Sequence, residues 1–206
     1  MRIPPYHIAL STLLALPFLP ATAQAQNAGD QGAAPATAQV DLGLEAKANA
    51  GDPAAQVLMG DNSCTAGIKA TQDPKQLAEY YKVAAAWYRK AAEQGSVAGQ
   101  LRLAALYRDG KGVEHDMVQA AEWYRKAADQ GDASAQGTLG VLYSMGQGVA
   151  QSYTDAYFWF DVASQSKGPD QEKYAAYRQM SGEHLTIDEL AIVQDRIAKW
   201  LAAHPR

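Results

Sequence analysis

The sequence predicts an all-α solenoid of stacked antiparallel helix pairs, closed at its C-terminal end by a capping helix. Three observations carry that prediction. The phrase WYRKAAEQG, residues 87–95, returns as WYRKAADQG, residues 123–131, with eight of nine positions identical. Trp87, Trp123 and Trp159 stand 36 residues apart. Gln56, Gln100 and Gln136 each follow a glycine (Gly51, Gly95, Gly131) by five residues, in steps of 44 and then 36. A period of this length marks a repeat architecture, in which each unit buries its apolar face only against its neighbours.

Residues 1–25, MRIPPYHIALSTLLALPFLPATAQA, have the layout of a secretory signal peptide: basic Arg2, an apolar run and a small-residue exit. The run from Ile8 to Leu19 is shorter than the roughly 20 residues of a spanning helix and contains Pro17, so no stable membrane insertion is expected after cleavage. Ala21-Thr22-Ala23 and Ala23-Gln24-Ala25 are overlapping cleavage sites, the second preferred. The expected location is the periplasm, or outside the cell. Residues 26–40 lack an apolar period and are rich in Ala, Gly and Gln, the composition of a flexible linker. The repeat domain is then 41–206, with units at about 51–95, 96–131 and 132–168 and a degenerate pair at 169–206.

The chain has 18 basic and 22 acidic residues, a net charge of −4; loss of Arg2 with the signal peptide makes it −5. No Lys/Arg patch is visible, which argues against a nucleic-acid partner. One cysteine, Cys64, cannot close an internal disulfide, and its readings rank as buried apolar residue, reactive thiol, then intermolecular bridge.

Element by element, VDLGLEAKANAG (40–51) reads as the back half of a B helix. Asp52-Pro53 opens the first A helix. Gly95 and Gly131 end one helix, and Ser96 and Asp132 cap the next. The second and third A helices run to about Tyr107 and Tyr143 and stop at DGKGV (109–113) and MGQGV (145–149), where paired glycines allow a tight reversal. The B helices open at Asp116 and Ser152 with capping-box-like patterns, and at Asp73 in the first unit. Trp87 lies fourteen residues after its cap against seven for Trp123 and Trp159, so the first B helix is expected to be longer by two turns. The remaining extra residue is assigned to a loop containing Cys64.

The stripe Gly99, Leu103, Leu106, Tyr107, with equivalents Ala135, Leu139, Leu142 and Tyr143, has the spacing of a buried face; on the B helix the stripe is Ala120, Trp123, Tyr124, Ala127. Full burial of Trp123 would make Trp123→Ala cost about 3–5 kcal/mol. PDQEKYAAYRQMSG suggests a degenerate A helix. The last helix opens with a capping box from Thr186 to Glu189 and aligns Leu190, Val193, Ile197, Trp200 and Leu201.

Two patterns, G-x3-AQ-x2-LG-x2-Y-x2-G-x-GV and A-x2-W-x2-KAA-x-QG, resemble the Sel1-like (Sel-one-like) repeats, relatives of the tetratricopeptide repeats. GDASAQGTLGVLYSMGQGV (131–149) and AAEWYRKAADQG (120–131) carry the resemblance, which covers residues 51–168. The first unit departs from it, with Asn62 and Ser63 where Leu and Tyr are usual. The resemblance implies a right-handed superhelix, a role as a protein-binding adaptor, and no catalytic residues.

In such a solenoid the A helices line the concave side, so their outer face is the candidate surface for a protein or peptide partner: Arg102, Ala105 and Arg108, then Thr138, Val141 and Ser144. Two arginines six apart suit a carboxylate-bearing partner, though a plain solvated face is the commoner reading for any one residue. Trp87, Gly95, Leu103, Tyr107, Trp123, Gly131, Leu139, Tyr143 and Trp159 are structural repeat positions. The same groove would serve a protein that neutralises a toxin or effector. A β-lactam-binding or hydrolysing reading rests on Ser164-Gln165-Ser166-Lys167 alone, without the companion elements that chemistry needs. The histidines lie without ligand spacing, so neither a metal nor another cofactor is expected.

Overall fold

The computed structural model describes residues 42–204; the signal-peptide, cleavage-site and linker expectations lie outside them. Among the described residues there are nine α-helices and no strand: α1 (Leu42–Asn49), α2 (Pro53–Ala70), α3 (Pro74–Glu93), α4 (Val97–Asp109), α5 (Met117–Asp129), α6 (Ala133–Met145), α7 (Tyr153–Ser164), α8 (Gln171–Gly182) and α9 (Ile187–Ala203). Packing runs between sequence neighbours from α1 through α8, the pattern of a solenoid, and α9 folds back onto α7.

The helix starts follow the cap chemistry. Asp52, Ser96, Asp116, Asp132 and Ser152 accept backbone N–H groups of the first turn, satisfying donors that have no partner inside the helix. Thr186 and Glu189 form the full reciprocal box. The patterns at Asp116 and Ser152 do not make the return bond: Gln119 donates to Glu122, and the Asp155 carboxylate goes to Arg196 on α9. Both carry a side chain suited to the box, and another partner takes it.

Most residues of the doubled phrase have an identifiable task. Tyr88 and Tyr124 are the buried aromatics, with Ala91, Ala92, Ala127 and Ala128 beside them. Trp87 and Trp123 are only half-buried, and each ring is covered by the ammonium of a lysine one turn on, Lys90 at 4.1 Å and Lys126 at 3.8 Å. This corrects the expectation of a fully buried Trp123. That ring sits at the seam of the two larger core clusters and touches both. Arg89 donates to the Tyr107 hydroxyl at 2.8 Å and Arg125 to that of Tyr143, tying each B helix to the next A helix. Gly95 and Gly131, at φ of 86° and 90°, make the turn between them.

The first unit absorbs its extra length differently from the expectation. Helix α3 has 20 residues against 13 in α5, the two added turns. Helix α2 has 18 against 13 in α4, and Cys64 lies within it, not in a loop. Residues 61–70 contain no glycine pair to stop the helix, so it runs on to Thr71 and the connection shrinks.

At the C-terminal end Val193 and Ile197 bury the stripe of α9, with Trp200 and Leu201 partly covered. Trp159, unlike its two counterparts, is buried at 4% exposure because Phe158 and Trp200 pack edge-on against it.

Candidate partner-binding face

The register places Leu58, Asp61 and Cys64 of α2 at the positions of Arg102, Ala105 and Arg108 of α4 and of Thr138, Val141 and Ser144 of α6. These three rows form the candidate face. Arg102 grips Asp61 of the preceding unit side-on, Nε to Oδ1 at 3.0 Å and Nη2 to Oδ2 at 3.3 Å. Asp61 also accepts the Tyr88 hydroxyl at 2.6 Å, so one carboxylate joins α2, α3 and α4. The Tyr88 phenol is held far above its ordinary pKa, first by burial and then by that bond.

Arg108 bonds Asp109 at 2.8 Å and reaches the Tyr124 hydroxyl at 3.3 Å, while Lys111 closes on Asp109 at 3.1 Å. The guanidinium of Arg108 holds the Asp109 carboxyl below its usual range. The B-helix tyrosines thus extend between the A helices to the face. Cys64 is half-buried there with its sulfur 3.7 Å from the Tyr88 oxygen, and burial pushes its thiol pKa up.

The third row is different. Thr138 and Ser144 donate their hydroxyls to carbonyls of their own helix, at 2.8 and 2.9 Å. Val141 packs against a small cluster of Ala156, Phe160, Ala163 and Tyr174. Phe160, without a hydroxyl, replaces the tyrosine of the other two units. Ala105 is partly covered. The face is therefore polar and charged over α2 and α4 and neutral over α6. Arg102 and Arg108 were expected on this face from the sequence, whereas Asp61, Tyr88 and Tyr124 were not. Asp61 was legible from register alone, since it occupies the Ala105 position one unit earlier.

Ser164 of the S-x-x-K pattern is buried and donates to the Asp161 carbonyl at 2.7 Å, while Lys167 is exposed beyond the helix end. An activated serine needs its base within hydrogen-bond reach; this hydroxyl is committed to backbone. Among the described residues no three His, Cys, Asp or Glu side chains could hold a metal ion, and no helix is long and apolar enough to cross a membrane.

Residues 53–96, 97–132 and 133–166 each match the Sel1 repeat. No curated protein matches the chain. Among solved structures it is similar to c5321, a protective antigen present in uropathogenic Escherichia coli strains displaying an SLR fold, with 33% identity and a TM-score of 0.64. That match covers 77% of this chain and 32% of the antigen, so the chain spans about a third of that protein's length. It is also similar to a Sel1 repeat protein from Oxalobacter formigenes, with 30% identity and a TM-score of 0.54 over 64% of this chain and 93% of the other.

Proposed function

Because the chain belongs to the Sel1 repeat family, we propose that it is an exported, non-catalytic protein–protein interaction scaffold whose A-helix face holds a carboxylate-bearing segment of a partner. Members of this fold commonly serve as protein–protein interaction scaffolds. The observation that supports the reading is the pairing of Arg102 and Arg108 with Asp61 and Asp109. Arg102 already holds a carboxylate through two nitrogens, the geometry a partner's Asp or Glu would use, Arg108 holds one through Nε, and both remain exposed enough to exchange them. Exposed ion pairs of this kind are weak, so exchange is cheap. What supports export is the signal-peptide layout of residues 1–25.

The test is crosslinking in intact cells with the wild-type chain and the Arg102→Ala/Arg108→Ala double variant. The expected result is a set of captured proteins that the double variant loses while its melting temperature is unchanged. Undiminished capture overturns the reading.

A further inference from the structure

The closing helix builds a cleft that the repeat pattern alone does not contain. It is an open depression of about 380 Å³ between the end of α5, α7 and α9. Trp159 and Trp200 form its aromatic wall, edge to face at 6.5 Å, and His204 stacks on Trp200 at 4.1 Å.

Three charged groups, Asp129, Arg196 and Lys199, line it beside the rings. Two are already matched. Arg196 bonds Asp155 at 2.6 Å and lies over the Phe158 ring at 4.0 Å; Lys199 pairs with Asp195 at 2.5 Å. Asp129 has no ion-pair partner within 4 Å among the described residues. A cation entering the cleft therefore meets a carboxylate with no ion pair to exchange, with Arg125 and His204 the only cationic groups among the described residues acting on it, at longer range.

The repeat register points the same way. In the first two units the residue three after the tryptophan is a lysine whose ammonium covers the ring; in the third it is Val162. The cation of the earlier units is thus absent from that helix position where the cleft opens. An aromatic wall beside a carboxylate that forms no ion pair is the recognition chemistry of an organic cation.

We propose that this cleft is a second docking site, which receives a lysine or arginine side chain of a partner polypeptide on Asp129 and the Trp200 wall. Asp129 and Trp159 belong to B helices, whereas Arg102 and Arg108 belong to an A helix, so the two sites are separately addressable.

Titrating the full chain with acetyl-Gly-Lys-Gly-amide and its arginine, norleucine and glutamate counterparts tests this, with the indole N–H resonances of Trp159 and Trp200 as the readout. The lysine and arginine peptides are expected to shift both indoles saturably, and the other two to leave them in place. Asp129→Asn should weaken the lysine peptide about ten-fold or more, the effect of losing roughly 1.4 kcal/mol of charge contact, while Arg102→Ala/Arg108→Ala binds it as the wild type does. The proposal is overturned if the glutamate peptide binds as well, if Asp129→Asn changes nothing, or if no peptide moves the indoles. Tetramethylammonium binding more tightly than either basic peptide would assign the cleft to a free small cation and overturn it too.

Discussion

Gln130 donates its side-chain amide to Oε1 of Gln100 at 2.8 Å, and Gln94 does the same to Gln56 one unit earlier, also at 2.8 Å. The buried glutamine in turn donates to a carbonyl of the preceding B helix: Gln56 to Ala48, Gln100 to Ala92, Gln136 to Ala128. A chain of amides therefore crosses each junction between units. It breaks at the third, where Ser166 stands at the register of Gln130 and the buried Oε1 of Gln136 has no hydrogen-bond partner.

Removing the donor from an intact junction leaves a buried acceptor unpaired. Gln130→Ala is expected to cost about 1–3 kcal/mol in urea unfolding. Ser166→Gln is expected to add about 1 kcal/mol by supplying the missing donor. A Gln130→Ala variant as stable as the wild type would show that the amide chain contributes nothing.

The tryptophans of the repeat are unequal. Trp159→Ala, at a buried site, should cost about 3–5 kcal/mol, whereas half-buried Trp123→Ala should cost about 1.5–3 kcal/mol, in proportion to the apolar area it keeps from water. Chemical denaturation of both variants measures the order.

The glycines differ for a steric reason. A Cβ on Gly131, at φ 90°, would meet nothing within 4 Å, so Gly131→Ala carries only left-handed strain, about 1–2 kcal/mol. A Cβ on Gly148, at φ 70°, would lie 2.0 Å from the Met117 carbonyl oxygen, which cannot move without shifting α5. Gly148→Ala should cost about 3 kcal/mol or more, strain and overpacking together. Equal melting temperatures for the two variants would contradict this.

Cys64 is expected to react slowly. Burial raises its thiol pKa, so the thiolate forms at higher pH than in an unfolded chain, and the midpoint of the pH–rate curve for iodoacetamide alkylation should lie above that of a cysteine peptide. The linkage has a definite sign: a pKa raised on folding favours the native state below the unfolded value, and that contribution is lost as pH rises through the folded one. Alkylation matching the cysteine peptide at every pH would show an open thiol.

Much of the fold was legible because periodicity is local information. The 36-residue register, the caps at Asp52, Ser96, Asp116, Asp132, Ser152 and Thr186, and the two extra turns of α3 are all written in spacing and cap chemistry. The arginines of the candidate face were legible for the same reason. Register puts Asp61 on the same face, but its pairing with Arg102, 41 residues away, is not written in either segment.

Trp123 and Tyr124 share one helical stripe in the sequence, and a stripe does not say which ring goes deeper. Tertiary packing decides it. The A helices carry Gly60, Ala104 and Gly140 at one register position, and a Cβ on Gly60 or Gly140 would lie 2.3 Å from the Tyr88 ring or 2.6 Å from that of Phe160. The hole left by the missing side chain takes the tyrosine or phenylalanine, and the tryptophan is left at the seam. The cleft beside Asp129 is tertiary in the same sense, since α9 makes it by folding back onto α7. By itself the sequence determined the helices, their order and the repeat, because each follows from contacts within a few turns. Which aromatic is buried, which charges are matched and where a cleft opens depend on side chains brought together across units, and only the packed structure decided those.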